Sequence, residues 1–322
     1  MIKIILRKLI YLFVMLFIIS LISFIAINLA PNSFFASGEL NPNITKESLE
    51  QLKEVYGLDK PLYIQFFSWV RNITMLDFGI SFSSGAMVKD EIVSRIPITL
   101  TINLISMFFI FVLSLYLGIK AALNKDKLFD RFVGQLSLLS FSLPSFYLAL
   151  LGVLVFAVTW EVLPIAGLHN SDLEQGSFEY YLDTAWHLIL PIGIIIFGGI
   201  GSLTLYIRSL TLEILKSDYI FFAKARGINS KQILRYYILP NLYPPVITLL
   251  GLSLPGIIGG SVILETIFSI DGMGLLFFQS ALSRDYPVIM GILIIGAFLT
   301  LLGNILADLV LLKLNPNFEI KN

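Results

Sequence analysis

Residues 218–245 read DYIFFAKARGINSKQILRYYILPNLYPP, a polar and basic piece set between two long apolar runs in a chain that is 57% hydrophobic. With a mean hydropathy of +0.86 over 322 residues, the chain is too apolar for a soluble domain. Crossing ~30 Å of hydrocarbon takes about 20 helical residues, and lipid offers no partner to an open strand edge, so long apolar runs are read as helices. Such runs occur at about 10–30, 99–121, 133–157, 187–207, 246–266 and 288–312. They predict an all-α integral membrane protein with six transmembrane helices.

The first run follows Lys3, Arg7 and Lys8. It is longer than a typical signal-peptide core and no convincing small-x-small cleavage site follows it, so an uncleaved first helix is expected. Orientation comes from Lys and Arg, which are retained on the cytoplasmic side of short loops. Lys120, Lys125, Lys127 and Arg131 crowd the loop after the second run, whereas 158–186 carries Glu161, Asp172, Glu174, Glu179 and Asp183 with no Lys or Arg. Both termini are therefore predicted to be cytoplasmic and 158–186 to lie outside. The domain plan that follows is a first helix within 1–30, an extracytoplasmic helical segment over 31–98, a membrane core over 99–312 and a cytoplasmic tail over 313–322.

Within 31–98, Thr45 is placed to cap KESLEQLKEVYG and Gly57 to stop it, while Pro61 opens LYIQFFSWVRNI with Leu62, Phe66 and Val70 at helical spacing. This pair either packs on the outer face of the membrane domain or forms a platform for an external partner. Small residues within the runs, such as Gly256 and Gly260, allow close helix packing, and exposed backbone along a path is the alternative. Arg208, Glu265 and Asp308 fall at span ends and are expected as boundary residues.

Several chemistries are excluded or weak. The 22 basic and 22 acidic residues cancel, so net charge implies no nucleic-acid partner, and the absence of cysteine excludes disulfides and thiolate sites. No GxxxxGK[ST] loop is present, so no ATP cradle of that kind belongs to this chain. The two histidines, His169 and His187, belong to the outer loop or its edge, and no metal or cofactor is expected in this chain. An intramembrane serine protease would use the serine of GLSL, 251–254, but needs a histidine facing it deep in the membrane, and His187 lies at an outer entrance. An ion-coupled secondary transporter would need mid-membrane coupling groups and internal symmetry, neither of which is visible.

The opening stretch itself reads as two surface helices. Tyr219 to Arg226 favours a short helix that Gly227 ends by taking a positive φ; Asn229 or Ser230 then caps KQILRYYIL, and Pro240 stops it, with Pro244 and Pro245 shaping entry to the next span. Ile233, Leu234, Tyr237 and Ile238 form one apolar stripe, giving a rigid knob with a side suited to a protein pocket. A loop tethered at both ends to membrane spans is poorly placed to enter a DNA groove.

AKARGINSKQILRYYILP resembles the cytoplasmic loop signature of ABC importer permeases, Ala-x-Ala-x-Gly followed by Leu-Pro, matched by Ala223, Ala225, Gly227, Leu239 and Pro240. The general signature has a glutamate where Phe221 stands. YGLDKPLYIQFFSWV (56–70), DFGISF (77–82), RIPITLTI (95–102), GGSVILETIFSIDGMG (259–274) and RDYPVIMG (284–291) resemble the dipeptide, oligopeptide and nickel importer permeases, in the subunit with a large outer segment after its first helix. The resemblance implies the ABC importer permease fold, with ATPase coupling through 208–245 and through those five signature residues. It also implies a homologous second permease, two cytoplasmic ATPase subunits that bind ATP and Mg, an extracytoplasmic solute-binding protein, a bacterial inner membrane, and a chain that is not itself an enzyme.

Overall fold

The computed structural model describes residues 2–29, 60–170, 172–253 and 262–314. The expected Thr45-capped helix and the Gly256–Gly260 spacing lie outside these residues. Helices dominate what is described, and the described residues divide into two compact units, one made of those up to Thr99 with Val262 and 271–302, the other of 100–253, 263–270 and those from Gly303 on.

The first unit contains α1 (Ile2–Leu29), α2 (Leu62–Thr74), the start of α3 (Val88–Leu123), α11 (Met273–Ser283) and most of α12 (Tyr286–Leu314). Pro61 stands just before α2 with φ −54° and ψ 142°, one position outside the helix it opens. The buried face of α2 is Phe66 with Trp69, Val70 and Ile73, whereas Leu62 is exposed, so the expected stripe is rotated towards the aromatics. Phe17 and Phe24 of α1 meet Phe66 edge to face at 5.7 and 5.4 Å. Along α3, Val88 and Ile92 are fully buried, Arg95 Nε donates to Asp271 Oδ1 at 2.7 Å, and Thr99 Oγ1 accepts from the Met273 amide at 2.9 Å. Spacings of three and four residues put these groups on one helix face.

DFGISF and RDYP prove to be two halves of one anchor in this unit. Asp285 is fully buried, and its carboxylate accepts from Ser81 Oγ at 2.5 Å, Ser83 Oγ at 2.7 Å, Ser83 N–H at 3.0 Å and Phe82 N–H at 3.1 Å. Four donors to one carboxylate offset the cost of burying its charge.

The second unit is built around α6 (Phe178–Leu215), which packs on α4 (Leu128–Ser142), on α5 (Ser145–Gly152) and on α3. Small residues set the spacing. A Cβ on Gly201 would lie 2.5 Å from the Ser137 carbonyl, and one on Gly118 would lie 2.8 Å from the Thr204 carbonyl. Ser114 Oγ donates to the Ile200 carbonyl at 3.3 Å, and Ser140 Oγ donates to that of Phe197. Close backbones and hydroxyl bonds of this kind hold helices together where lipid removes the hydrophobic drive.

Among the described residues, three helices are long and apolar enough to cross a membrane, Val88–Leu123, Phe178–Leu215 and Tyr286–Ile305. The expected straight span 133–157 is instead a bent pair: α4 and the stretch Ser145–Thr159, which ends in π-helical turns from Val153, meet at 101°. Leu143, held extended at φ −89° and ψ 128°, precedes Pro144, whose ring disfavours the helical conformation before it and which brings no N–H of its own. The expected span 246–266 is described as the end of α9 (Leu239–Ser253) and as α10 (Val262–Ile267), and the apolar helix α11 was not among the expected spans. The loop over 158–186 is tied down in the second unit: Gly167 N–H donates to the Phe268 carbonyl at 2.8 Å and Asn170 N–H to Asp183 Oδ2 at 2.7 Å.

Candidate functional site

The polar stretch folds as α7 (Asp218–Ala225), a turn, and α8 (Ser230–Ile233), which runs through π-helical turns over Leu234–Ile238 into α9. The turn is fixed at both sides. Gly227 takes φ +77°, its N–H donates to the Lys224 carbonyl at 2.9 Å, and Ile228 N–H donates to the Ala223 carbonyl at 3.1 Å. That bond pattern is a Schellman closure, and it requires the left-handed residue that glycine supplies. Asn229 then caps α8: its Oδ1 accepts from Gln232 N–H at 2.9 Å while Gln232 Oε1 receives the Asn229 amide, a capping box.

Pro240 does not stop the second helix, contrary to the sequence expectation. Leu239 N–H donates five residues back, to the Leu234 carbonyl, so the helix has widened by one residue just before the proline ring. Further on, Asn241 Nδ2 donates to the Tyr237 carbonyl at 2.6 Å and Thr248 Oγ1 to the Pro244 carbonyl at 2.9 Å. Side-chain donors thus serve carbonyls of a turn in which Pro240, Pro244 and Pro245 bring no amide hydrogens.

The five signature residues are divided by burial. Ala223 is buried, Leu239 partly so, and Ala225, Gly227 and Pro240 are exposed. The stripe expected to seek a partner's pocket finds its pocket within this chain. Ile220, Ala223, Ile233, Ile238 and Leu242 form a buried cluster with Ile119 of α3 and Leu210, Ile214 and Leu215 of α6. What the pair presents outward is Phe221, Phe222 and Tyr236, each more than 60% exposed, among the exposed Lys224, Arg226, Lys231 and Arg235. A Cβ on Gly227 would meet nothing within 4 Å, so that surface is open at the turn.

One pair beside this element was not legible in the sequence. Arg208, expected only as a boundary residue, forks onto Asp130, with Nε 2.5 Å from Oδ1 and Nη2 2.7 Å from Oδ2. Asp130 is 4% exposed. No spacing rule joins positions so far apart, and an aspartate in a basic loop gives no local signal. Glu265 is buried as well. Elsewhere in the second unit, a cavity of about 490 Å³ beside α5 and α6 is lined by apolar residues, Leu148, Phe156, Leu190 and Phe197 among them, with no polar side chain to orient a solute. Ser253 of GLSL donates to the carbonyl of Leu250, its own helix neighbour, at 2.8 Å, and His187 Nδ1 lies 2.8 Å from the Asp183 carbonyl, so the two do not form a nucleophile–base pair.

Comparison with known proteins places this architecture. The family described as "Binding-protein-dependent transport system inner membrane component" matches residues 114–320, and its N-terminal companion matches residues 1–103. The chain is 34% identical over 302 residues to the oligopeptide transport system permease protein AppB of Bacillus subtilis, covering 94% of each chain. It is 33% identical to the oligopeptide permease protein OppB of Haemophilus influenzae, covering 99% of this chain and all of that one. The nickel import system permease protein NikB of Staphylococcus aureus is 34% identical, covering 99% of this chain and 93% of that protein. In fold, a chain of the MetNI methionine ABC transporter, solved in an inward-facing conformation, matches with a TM-score of 0.51 at 17% identity, over 70% of this chain and 96% of that one. The chain therefore belongs to the inner-membrane permeases of binding-protein-dependent ABC importers, in the group of peptide and nickel permeases, as a multi-pass protein of the bacterial cytoplasmic membrane.

Proposed function

We propose that this chain forms one half of the path of an ATP-driven importer that moves peptides, or a related small solute such as a nickel chelate, into the cytoplasm. It pairs with a homologous permease, two cytoplasmic ATPase subunits bind ATP and Mg, and an extracytoplasmic solute-binding protein delivers the cargo. Six helices span the membrane with both termini inside, 31–98 stands outside, and 218–240 is the cytoplasmic element on which the ATPases act. The chain contributes no hydrolytic group of its own.

The observation that carries this proposal is the build of α7 and α8. A helix pair closed by a Schellman turn and a capping box is stiff, and its apolar side is seated on the ends of α3 and α6. A push on the exposed Phe221, Phe222 and Tyr236 is therefore delivered to the membrane helices and is not lost in bending the turn. Closing of the ATPases on ATP supplies the push, and their reopening after hydrolysis reverses it.

Gly227→Asp tests the proposal. A side chain at φ +77° costs about 1–2 kcal/mol, and nothing of this chain stands in its way, so the permease is expected to insert while the added carboxylate obstructs the ATPase surface. Uptake should be abolished, with the ATPases lost from the purified complex or no longer stimulated by loaded binding protein. Lys231→Arg should do much less. Normal uptake and assembly in Gly227→Asp would show that the stretch is only a tether.

A further inference from the structure

We infer that Asp130 and Arg208 are positioning residues for energy coupling: their fork transmits displacement of the helix pair at 218–238 to α4, and so to the bent helix that follows it. The inference rests on the proposed role of 218–238. Three observations support it.

First, the ion pair is placed where the coupling element meets the membrane helices. Arg208 lies on α6 just ahead of Leu210, Ile214 and Leu215, the residues on which the buried cluster of α7 and α8 is seated. Motion of that cluster moves this end of α6.

Second, the far partner is fixed in turn. Asp130 is in the first turn of α4, and its Oδ2 accepts from the Asp126 amide at 2.9 Å as well as from Arg208. Asp126 holds φ +66°, a strained value for a residue with a Cβ, so the carboxylate locks the turn that leads from α3 into α4. One carboxylate thereby joins the α3–α4 turn, α4 and α6.

Third, the chemistry is that of a stiff link. Two parallel N–H···O bonds to a carboxylate fix orientation as well as distance, which a single ammonium contact does not, and the Asp130 side of the fork is shielded from water. Beyond α4 the chain turns through 101° at Pro144, so a shift of α4 is passed to Ser145–Thr159 across a defined corner. Further along the same seam, α4 and α6 meet by close approach at Gly201 and Ser137 and by one neutral bond from Ser140 Oγ to the Phe197 carbonyl, which do not fix orientation as the charged fork does.

The experiment uses the full complex in proteoliposomes and reads three quantities for each variant: copurification of the ATPases, the ratio of ATPase activity with and without loaded binding protein, and uptake. Arg208→Lys keeps the charge and loses the fork. The double variant Asp130→Asn with Arg208→Gln removes both charges together, avoiding the buried, unpaired Asp130 carboxylate that a change of Arg208 alone would leave. Both are expected to assemble at the wild-type level while the stimulation ratio and uptake fall by about fivefold or more, the size of a typical coupling between sites. A pair that only stabilises the fold would give the opposite, with stimulation and uptake at wild-type level in whatever complex assembles, and that result overturns the inference. Failure of both variants to assemble also overturns it, since the pair would then be a folding requirement. If Gly227→Asp loses stimulation and these variants keep it, the link fails and the coupling role of 218–240 stands; if all three keep it, the coupling role itself is wrong.

Discussion

At the scale of single residues, three positions show what local chemistry fixes. Gly227 was legible from sequence because a glycine between a short helix and an Asn-Ser cap has one common use, and its φ of +77° is that use. Asp285 was not, although both motifs it joins had been noticed, because no pattern in one chain says that a carboxylate at 285 bonds serines at 81 and 83. Asp285→Asn is expected to destabilise the protein in detergent by about 2 kcal/mol or more, since an amide turns one acceptor into a donor facing four donors. Thermal aggregation followed by size-exclusion chromatography reads this, and an unchanged midpoint would mean that the anchor is not load-carrying. Gly201→Val should cost about 1–3 kcal/mol in the same assay, because its Cβ would lie 2.5 Å from a backbone carbonyl of α4. Gly198→Ala, whose Cβ meets nothing within 4 Å, is the matched control and should be near neutral. Equal effects of the two would contradict the packing described for α4 and α6.

At the scale of elements, hydrophobic runs mark the three long apolar helices found among the described residues, and proline is where sequence pattern and structure part, in both directions. Pro144 lies inside an apolar run and breaks it, because Leu143 before it takes an extended conformation. Pro240 reads as a stop in sequence and is carried through, in a helix that has already widened to π-helical turns over Leu234–Ile238, with the Asn241 side chain adding a bond to the Tyr237 carbonyl beside it. The apolar stripe of α8 is legible in its spacing, but its partner is not: burial against α3 and α6 depends on contacts distant in sequence. The capping box is the testable local device. Asn229→Ala should cost about 1 kcal/mol at the start of α8, read as roughly fivefold faster hydrogen exchange of the amides from Lys231 to Leu234, with Asn229→Asp close to wild type. Exchange unchanged in Asn229→Ala would show that tertiary contacts alone hold the turn.

At the scale of the whole molecule, the proposed orientation rests on charge placement. Because the chain has no cysteine, single introduced thiols report cleanly. Thr74→Cys, exposed at the end of α2, should react with an impermeant maleimide added to sealed cells, and the exposed Ser230→Cys should not. Labelling of 230 from outside would reverse the topology. On cargo, both histidines are already engaged, His187 against Asp183 and His169 against the Tyr180 ring, tilted at 45° with ring centres 4.6 Å apart. A nickel-type cargo should therefore cross as a chelate, and purified complex without binding protein should show no tight Ni²⁺ site by calorimetry. Tight binding lost on changing a residue of these spans would refute this.

On the proposed function, a stiff helix pair at 218–240 receives the work of ATP from a separate subunit. This is tested most directly by a thiol at Ala225, exposed beside the Gly227 turn, in a chain free of other cysteines. In the assembled complex Ala225→Cys, given a short bifunctional thiol reagent and ATPases carrying single surface cysteines, should cross-link to an ATPase subunit with an efficiency that changes when ATP is bound. Thr74→Cys should not cross-link to it. Cross-linking of position 225 to the ATPase that is absent, or present but indifferent to nucleotide, would contradict the account.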